Sequence, residues 1–221
     1  MSFNINHSLA LGVLAAGLFT ACSSPTPPPA KEGAESDFKV SADRFADLEV
    51  LRYQVPGFDE LTSQQKELAY YLTEAALCGR DIIWDQKYKH NLRIRKVLEA
   101  VFESSKADKN TPDWNKFEVY AKRVFFSNGI HHHYSNMKIL PEFDAAYFTT
   151  LVKGSDAAKL PLDAGQTVDQ LLEILNPVIF DPKVDNKIVD LSPDIDNVKA
   201  SANNFYEGVT QQEVEAYYAA K

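Results

Sequence analysis

Residues 111–141 read TPDWNKFEVYAKRVFFSNGIHHHYSNMKILP and join a strongly patterned helix to a polar loop. The opening Thr-Pro-Asp has the residues of a helix start, namely an N-cap hydroxyl, a first-turn proline and a first-turn acid. An apolar stripe at helical spacing follows, and Asn128-Gly129 predicts the helix end because both residues tolerate a left-handed backbone. The sequence therefore predicts a helix that is followed directly by the histidine run His131–His133.

Five further helices are predicted from capping residues and apolar stripes. Thr62 with Gln65 resembles a capping box, Pro141 can open a helix that ends at Gly154, Thr167 caps another, and Thr210 pairs with Glu213 at the last. A helix between them has the stripe Leu92, Val97, Leu98, Val101 and Phe102.

Beyond Asn176 the residue pattern changes to short runs rich in β-forming residues, which are bounded by Pro, Asp and Asn. PVIFDP (residues 177–182) and KIVDLS (187–192) are predicted as strands or extended connections, and NNFYEG (203–208) as a strand and turn. The predicted class is α+β, mostly helical. The chain stops at Lys221 soon after its last helix begins, which favours a truncated protein over a docked C-terminal helix.

The N-terminus has the order of a bacterial lipoprotein. Residues 1–21 resemble a signal peptide, and Cys22 follows small residues as a lipidated cysteine would. Residues 22–36 are a Pro- and Ser-rich tether, and the folded part begins at Asp37. The region before the apolar stretch lacks Lys and Arg, and Phe19 stands where Leu is commonest, so a plain secretory signal is the alternative. The expected location is the bacterial cell envelope, with a lipid anchor in the membrane.

The composition argues against some classes of partner and of site. The chain has 23 basic and 31 acidic residues and a net charge of −8, which argues against nucleic acid as a partner. Cys78 is the one cysteine besides Cys22, so the folded part has no internal disulfide. Its apolar neighbours predict that Cys78 is a buried small hydrophobe rather than a nucleophile.

The histidine run does not predict a metal site. A zinc site needs three or four protein ligands, and on a strand only His131 and His133 would share a face. His90 and Cys78 are the remaining imidazole and thiol of the folded part, and neither H-E-x-x-H nor C-x-x-C occurs. The run is instead predicted to lie on a shaped loop that contacts a polar ligand or peptide, with a solvated connector as the alternative.

The segment EVYAKRVFFSNGIHHHYSNMKILPEF resembles the dipeptidyl peptidase III family, two-lobed zinc exopeptidases that release dipeptides from peptide N-termini. AALCGRDIIWDQ, NLRIRKVLEAVF and NNFYEGVT are similar to further segments of its N-terminal part, so the resemblance covers roughly residues 37–221. The triple histidine with Tyr134 looks like the bacterial branch. Ser135 departs from the Gly that is usual in the family.

The resemblance implies that this chain is part of the lower lobe, where helices surround a β-barrel core, and that its histidine loop faces the substrate cleft. The implied cleft residues are Asn128, Gly129, His131, His132, His133, Tyr134 and Lys138. The family binds zinc through H-E-x-x-G-H and E-E-x-R-A-D motifs, and both are absent here. The full-length enzyme would hydrolyse peptides with zinc, whereas this chain would bind no metal, supply no catalytic residue and be inactive alone.

Two alternatives remain. The chain could be a non-catalytic lipoprotein that binds a peptide or a protein partner, or, less favoured, a histidine-dependent metal-handling lipoprotein. If it is one lobe of the peptidase, its partners are peptide substrates and the remainder of the peptidase chain, and exposed apolar surface is expected.

Overall fold

The computed structural model describes residues 38–221, which form a mostly helical α+β fold with one small sheet. The antiparallel strands β1 (Ser41–Phe45) and β2 (Leu48–Leu51) make that sheet. The helices of these residues are α1 (Ser63–Cys78), α2 (Arg80–Lys87), α3 (Asn91–Ser104), α4 (Pro112–Ser127), α5 (Ala145–Lys153), α6 (Val168–Phe180), α7 (Asn197–Ala200) and α8 (Gln211–Ala219). The predicted signal peptide, the Cys22 lipidation site and the tether lie outside the described residues.

The predicted helix starts at four threonines are confirmed. In each case the threonine hydroxyl accepts a hydrogen bond from the backbone N–H three residues later, which satisfies a donor that the helix itself cannot. The pairs are Thr62 with Gln65, Thr111 with Trp114, Thr167 with Gln170, and Thr210 with Glu213.

The core lies where α3 and α4 pack together and are covered by α5 and α6. The α3 stripe predicted from the sequence is confirmed, since Val97, Leu98 and Val101 are fully buried. Phe117 and Val124 of α4 are equally buried. The remaining fully buried apolar side chains of the described residues include Ile94, Ala121, Phe148, Leu151, Leu171 and Ile179. One contiguous cluster thus holds these four helices together.

Two strand predictions near the C-terminus are wrong. The PVIF residues belong to α6, with Pro177 inside the helix, because Val178 and Ile179 continue the buried helical stripe of Leu171 and Leu175. The NNFYEG segment is irregular. In KIVDLS, Lys187 forms an isolated bridge with Met137, and the chain bends directly after it at Ile188 and Val189.

The helix that was predicted to open at Pro141 starts later than expected. It begins at Ala145 rather than at Pro141, because the Asp144 carboxylate accepts the Tyr147 N–H at 2.7 Å and caps it there. The β1–β2 hairpin was not predicted at all. It rests on α4, where Phe45 packs edge-on against Phe126 with ring centroids 6.5 Å apart.

Helix α1 presents apolar side chains to solvent, and none of its residues is buried. Leu72 is 61% exposed, and Cys78 is an exposed free cysteine, so the prediction of a buried Cys78 is wrong. Apolar composition around Cys78 indicated burial, but no described element covers its side chain. In α8, Tyr217 and Tyr218 are likewise exposed.

The end of α4 is fixed by a buried amide. Asn128 takes φ 51° and Gly129 φ 147°, as the sequence predicted for this turn. The Asn91 side chain donates to the Trp84 carbonyl at 3.2 Å and accepts the Ile130 N–H at 3.1 Å. Gly129 lies directly against Asn91, so that a Cβ at position 129 would come within 2.2 Å of the Asn91 Nδ2.

We therefore expect Gly129→Ala to lower the free energy of unfolding by at least about 2 kcal/mol, through backbone strain and loss of the Asn91 bridge. Urea denaturation measures this. The matched control is Gly208→Ala, where φ is 71° but a Cβ would meet nothing within 4 Å, and about 1 kcal/mol of strain alone is expected. Equal losses in the two variants would contradict the role of the Asn91 contact.

Candidate functional site

The histidine loop, residues 130–139, is a short hairpin that folds back on itself. The Ile139 N–H donates to the Ile130 carbonyl at 2.8 Å, and the His132 N–H donates to the Met137 carbonyl at 2.7 Å. At the tip, Asn136 takes φ 62° and its N–H returns to the His132 carbonyl. The left-handed residue is therefore Asn136 and not Ser135, so Ser135 does not strain the loop by replacing a glycine.

A second segment, residues 181–188, braces the loop from the side. The Lys138 N–H donates to the Asn186 carbonyl at 2.8 Å, and the Ile188 N–H donates to the Asn136 carbonyl at 3.0 Å. These bonds are made by backbone groups, so they fix the path of the loop whatever its outward side chains are.

His131 points inward and is 1% exposed. Its Nε2 lies 2.7 Å from the Asp185 carbonyl oxygen, which can only accept, so Nε2 carries the proton. Its ring also packs edge-on against Tyr88, whose hydroxyl donates to the Asp185 carboxylate. Burial lowers the pKa of His131 below its ordinary value of 6.5, although the bond to Asp185 opposes this. A neutral His131 thus joins the loop to the bracing segment.

Lys138 is the second inward side chain of the loop. Its Nζ donates to the carbonyls of Asp181 and Val184 in the bracing segment, and the residue is 8% exposed. Burial lowers its pKa, while the carboxylates of Asp185 and Asp181 act in the opposite direction. The ammonium is held by backbone carbonyls, which compensate for part of its lost hydration.

The outward surface of the loop includes His132, His133 and Tyr134. The His132 and His133 rings stack with centroids 4.5 Å apart, and His133 also packs edge-on against Phe126. His132 Nδ1 accepts the backbone N–H groups of Tyr134 and Ser135, each at 3.2 Å. Tyr134 is 88% exposed. The loop thus presents two stacked imidazoles beside a free phenol.

The predicted site residues fall into two groups. Asn128, Gly129, His131 and Lys138 lie at the base or inside of the loop and set its shape, whereas only His132, His133 and Tyr134 face outward. His131 and His133 do not share a face, because the hairpin turns His131 into the protein and leaves His132 beside His133.

The imidazoles of the run do not converge on one point. Within residues 38–221, no group of three or more His, Cys, Asp or Glu side chains could hold a metal ion. His131 Nε2 and His132 Nδ1 are already engaged with backbone groups, so these histidines do not fit the zinc that the family resemblance implies.

Several residues that position the loop were missed by sequence reasoning. Neither Asn91 nor Tyr88 belongs to a sequence motif that predicts its contact with the loop. Asp185 bonds to both Tyr88 and His131, although it lies 54 positions along the chain from His131. Asp47, in the turn of the β-hairpin, lies 3.6 Å from His132 Nε2 and forms an ion pair when that imidazole is protonated. Asp47 is far from the histidine loop in the sequence, which explains why it was not among the predicted site residues.

A search of known protein families found none that matches the chain. The resemblance to zinc dipeptidyl peptidases therefore stays a prediction from the sequence. No helix in residues 38–221 combines the length and apolar character needed to span a membrane.

The buried His131 predicts a loss of stability in mild acid. As the pH falls through 6.5, the unfolded chain takes up a proton at this position before the folded protein does, so the free energy of unfolding decreases. In His131→Gln the amide keeps a donor for the Asp185 carbonyl but does not titrate. The stability difference between wild type and variant should narrow from about pH 7.5 to about pH 5.5.

Urea unfolding at the two pH values measures this difference. Burial also lowers the pKa of His90 and of His133, but both residues are present in the two proteins and their contributions cancel. Identical pH dependence in wild type and variant would rule out a buried neutral His131.

Proposed function

We propose that this chain is the N-terminal part of a lipid-anchored zinc dipeptidyl peptidase of the bacterial cell envelope, and that its histidine loop contacts the peptide substrate. The chain would contribute to the lower lobe of the two-lobed enzyme. The observation that carries the proposal is the outward surface of His132, His133 and Tyr134 on a loop held rigid from within. Such a surface offers ring faces and a hydroxyl to a peptide at little cost in side-chain entropy.

No residue of this chain is assigned a catalytic role. The zinc that the resemblance implies would be held by the H-E-x-x-G-H and E-E-x-R-A-D motifs in the remainder of the enzyme, and no group of three or more His, Cys, Asp or Glu side chains among residues 38–221 could hold it instead. The contribution of this chain is to bind and orient the peptide, which lowers KM or positions the scissile bond.

The exposed apolar side chains of α1 and α2 support the idea that further polypeptide packs here. Seven large apolar side chains of these helices are between 47% and 61% exposed: Leu68, Tyr70, Tyr71, Leu72, Leu77, Ile82 and Ile83. Exposed apolar surface of this extent is typical of interfaces. In the proposed enzyme the remainder of the peptidase chain covers it.

A second candidate is the non-catalytic lipoprotein that binds a peptide or protein partner. The observation that favours it is the contiguous core of α3 to α6, which is compatible with independent, cooperative folding. The two candidates differ in whether dipeptide release accompanies peptide binding.

The first experiment sequences the source DNA beyond the Lys221 codon, expresses the full reading frame, and assays dipeptide release from a synthetic peptide. We expect chelator-sensitive release by the full product and none by the 221-residue chain alone. A stop codon directly after Lys221, together with peptide binding by this chain, would replace the peptidase with the binding lipoprotein.

Tyr134→Ala should raise the KM of the full product about tenfold with little change in kcat, as expected for a residue that contacts substrate. The matched control is Tyr53→Ala. Tyr53 is 81% exposed and Tyr134 88%, so neither truncation should affect folding. An unchanged KM in Tyr134→Ala, or an equal rise in the control, would remove the histidine loop from the substrate site.

A further inference from the structure

A groove of about 180 Å³ runs along α4, apart from the outward surface of the histidine loop. One wall is made by Lys116, Val119, Tyr120 and Arg123, whose spacing places them on one face of the helix. Leu140 and Glu142 form part of the opposite wall. The groove therefore combines apolar sides with cationic and phenolic groups.

Two hydrogen-bond donors of this groove have no partner among the described residues. Tyr120 is 2% exposed, and its hydroxyl makes no hydrogen bond. The Arg123 Nε is also buried and unpartnered. Within residues 38–221, Arg123 has one ion pair, to Asp47 at 3.8 Å, which is too long for a hydrogen bond. Buried donors without an acceptor destabilise a protein, so their presence together needs an explanation.

The charges around the groove select the kind of acceptor. The Lys116 ammonium is already held by Asp113 at 2.9 Å, so the guanidinium of Arg123 is the cation available to a ligand. A guanidinium forms strong hydrogen bonds with carboxylates and with phosphates. The exposed Glu142 carboxylate at the wall would repel a doubly charged phosphate more strongly than a single negative charge.

We propose that this groove binds a small monocarboxylate with a short apolar tail. The ligand carboxylate would accept hydrogen bonds from the Arg123 Nε and the Tyr120 hydroxyl, and the tail would lie against Val119 and Leu140. This binding goes beyond the proposed peptidase role and requires neither zinc nor the remainder of an enzyme.

The test is a titration of the 221-residue chain with butyrate. Binding is measured by calorimetry and by the change in the NMR signal of the Arg123 Nε–H. We expect millimolar binding and a shift of that signal. n-Butylamine has the same tail with the opposite charge and should not bind, and inorganic phosphate should bind more weakly than butyrate.

Arg123→Gln and Tyr120→Phe should each weaken butyrate binding about tenfold, which is the usual cost of losing one hydrogen bond to a charged group. Lys153→Gln is the matched control. It removes one positive charge at an ion pair with Asp169 and should leave the affinity unchanged. Tyr120→Phe keeps the ring that packs on Phe143 with centroids 5.7 Å apart, so this variant should fold.

Three results would overturn the proposal. They are equal shifts with butyrate and n-butylamine, unchanged affinity in both groove variants, or tighter binding of phosphate than of butyrate. Because the assay does not involve dipeptide release, its failure would leave the peptidase proposal standing, and failure of the peptidase proposal would leave this one.

Discussion

The buried side-chain amide of Asn91 connects α2, α3 and the start of the histidine loop. It donates to the Trp84 carbonyl near the end of α2 and accepts the Ile130 N–H where the histidine loop begins, while belonging itself to α3. A buried amide that lost one of these partners would be left unsatisfied at a cost of about 1–3 kcal/mol. The position of the loop therefore depends on the packing of three elements, and a Gly at 129 is required because there is no space for a side chain beside the amide.

The loop combines two kinds of histidine that look identical in the sequence. His131 is enclosed, neutral and bonded to a backbone carbonyl, whereas His132 and His133 stack at the surface. The difference arises because the hairpin pairs residue 131 with residue 138 and turns both inward. Identical residues in one run can thus have different roles, one buried to stabilise the loop and the others exposed at its surface. The path of the backbone determines which residue has which role.

Local signals made most of the helical fold predictable. Each threonine cap acts within three residues of itself, and the turn at Asn128-Gly129 is likewise a local requirement. The errors arose where distant contacts prevailed. Pro177 stays within α6 because Val178 and Ile179 are needed in the core. Cys78 is exposed because no described element covers α1, and the sites of Asp47 and Asp185 rest on pairings across many residues. The sequence predicts that the loop is polar and has a defined turn. It does not predict which of the loop's side chains are buried and which are exposed.

The bracing of the histidine loop has a consequence for how the protein folds. The bonds from His131 and Lys138 to the bracing segment join residues 54 and 43 positions apart. Contacts at such separations close large loops of chain and form after local ones. During synthesis, α3 and α4 would leave the ribosome well before residues 181–188 are available. The loop would therefore be the last part of this region to reach its final shape. Until then His131 would not be buried, and all three histidines of a nascent chain would be accessible to solvent.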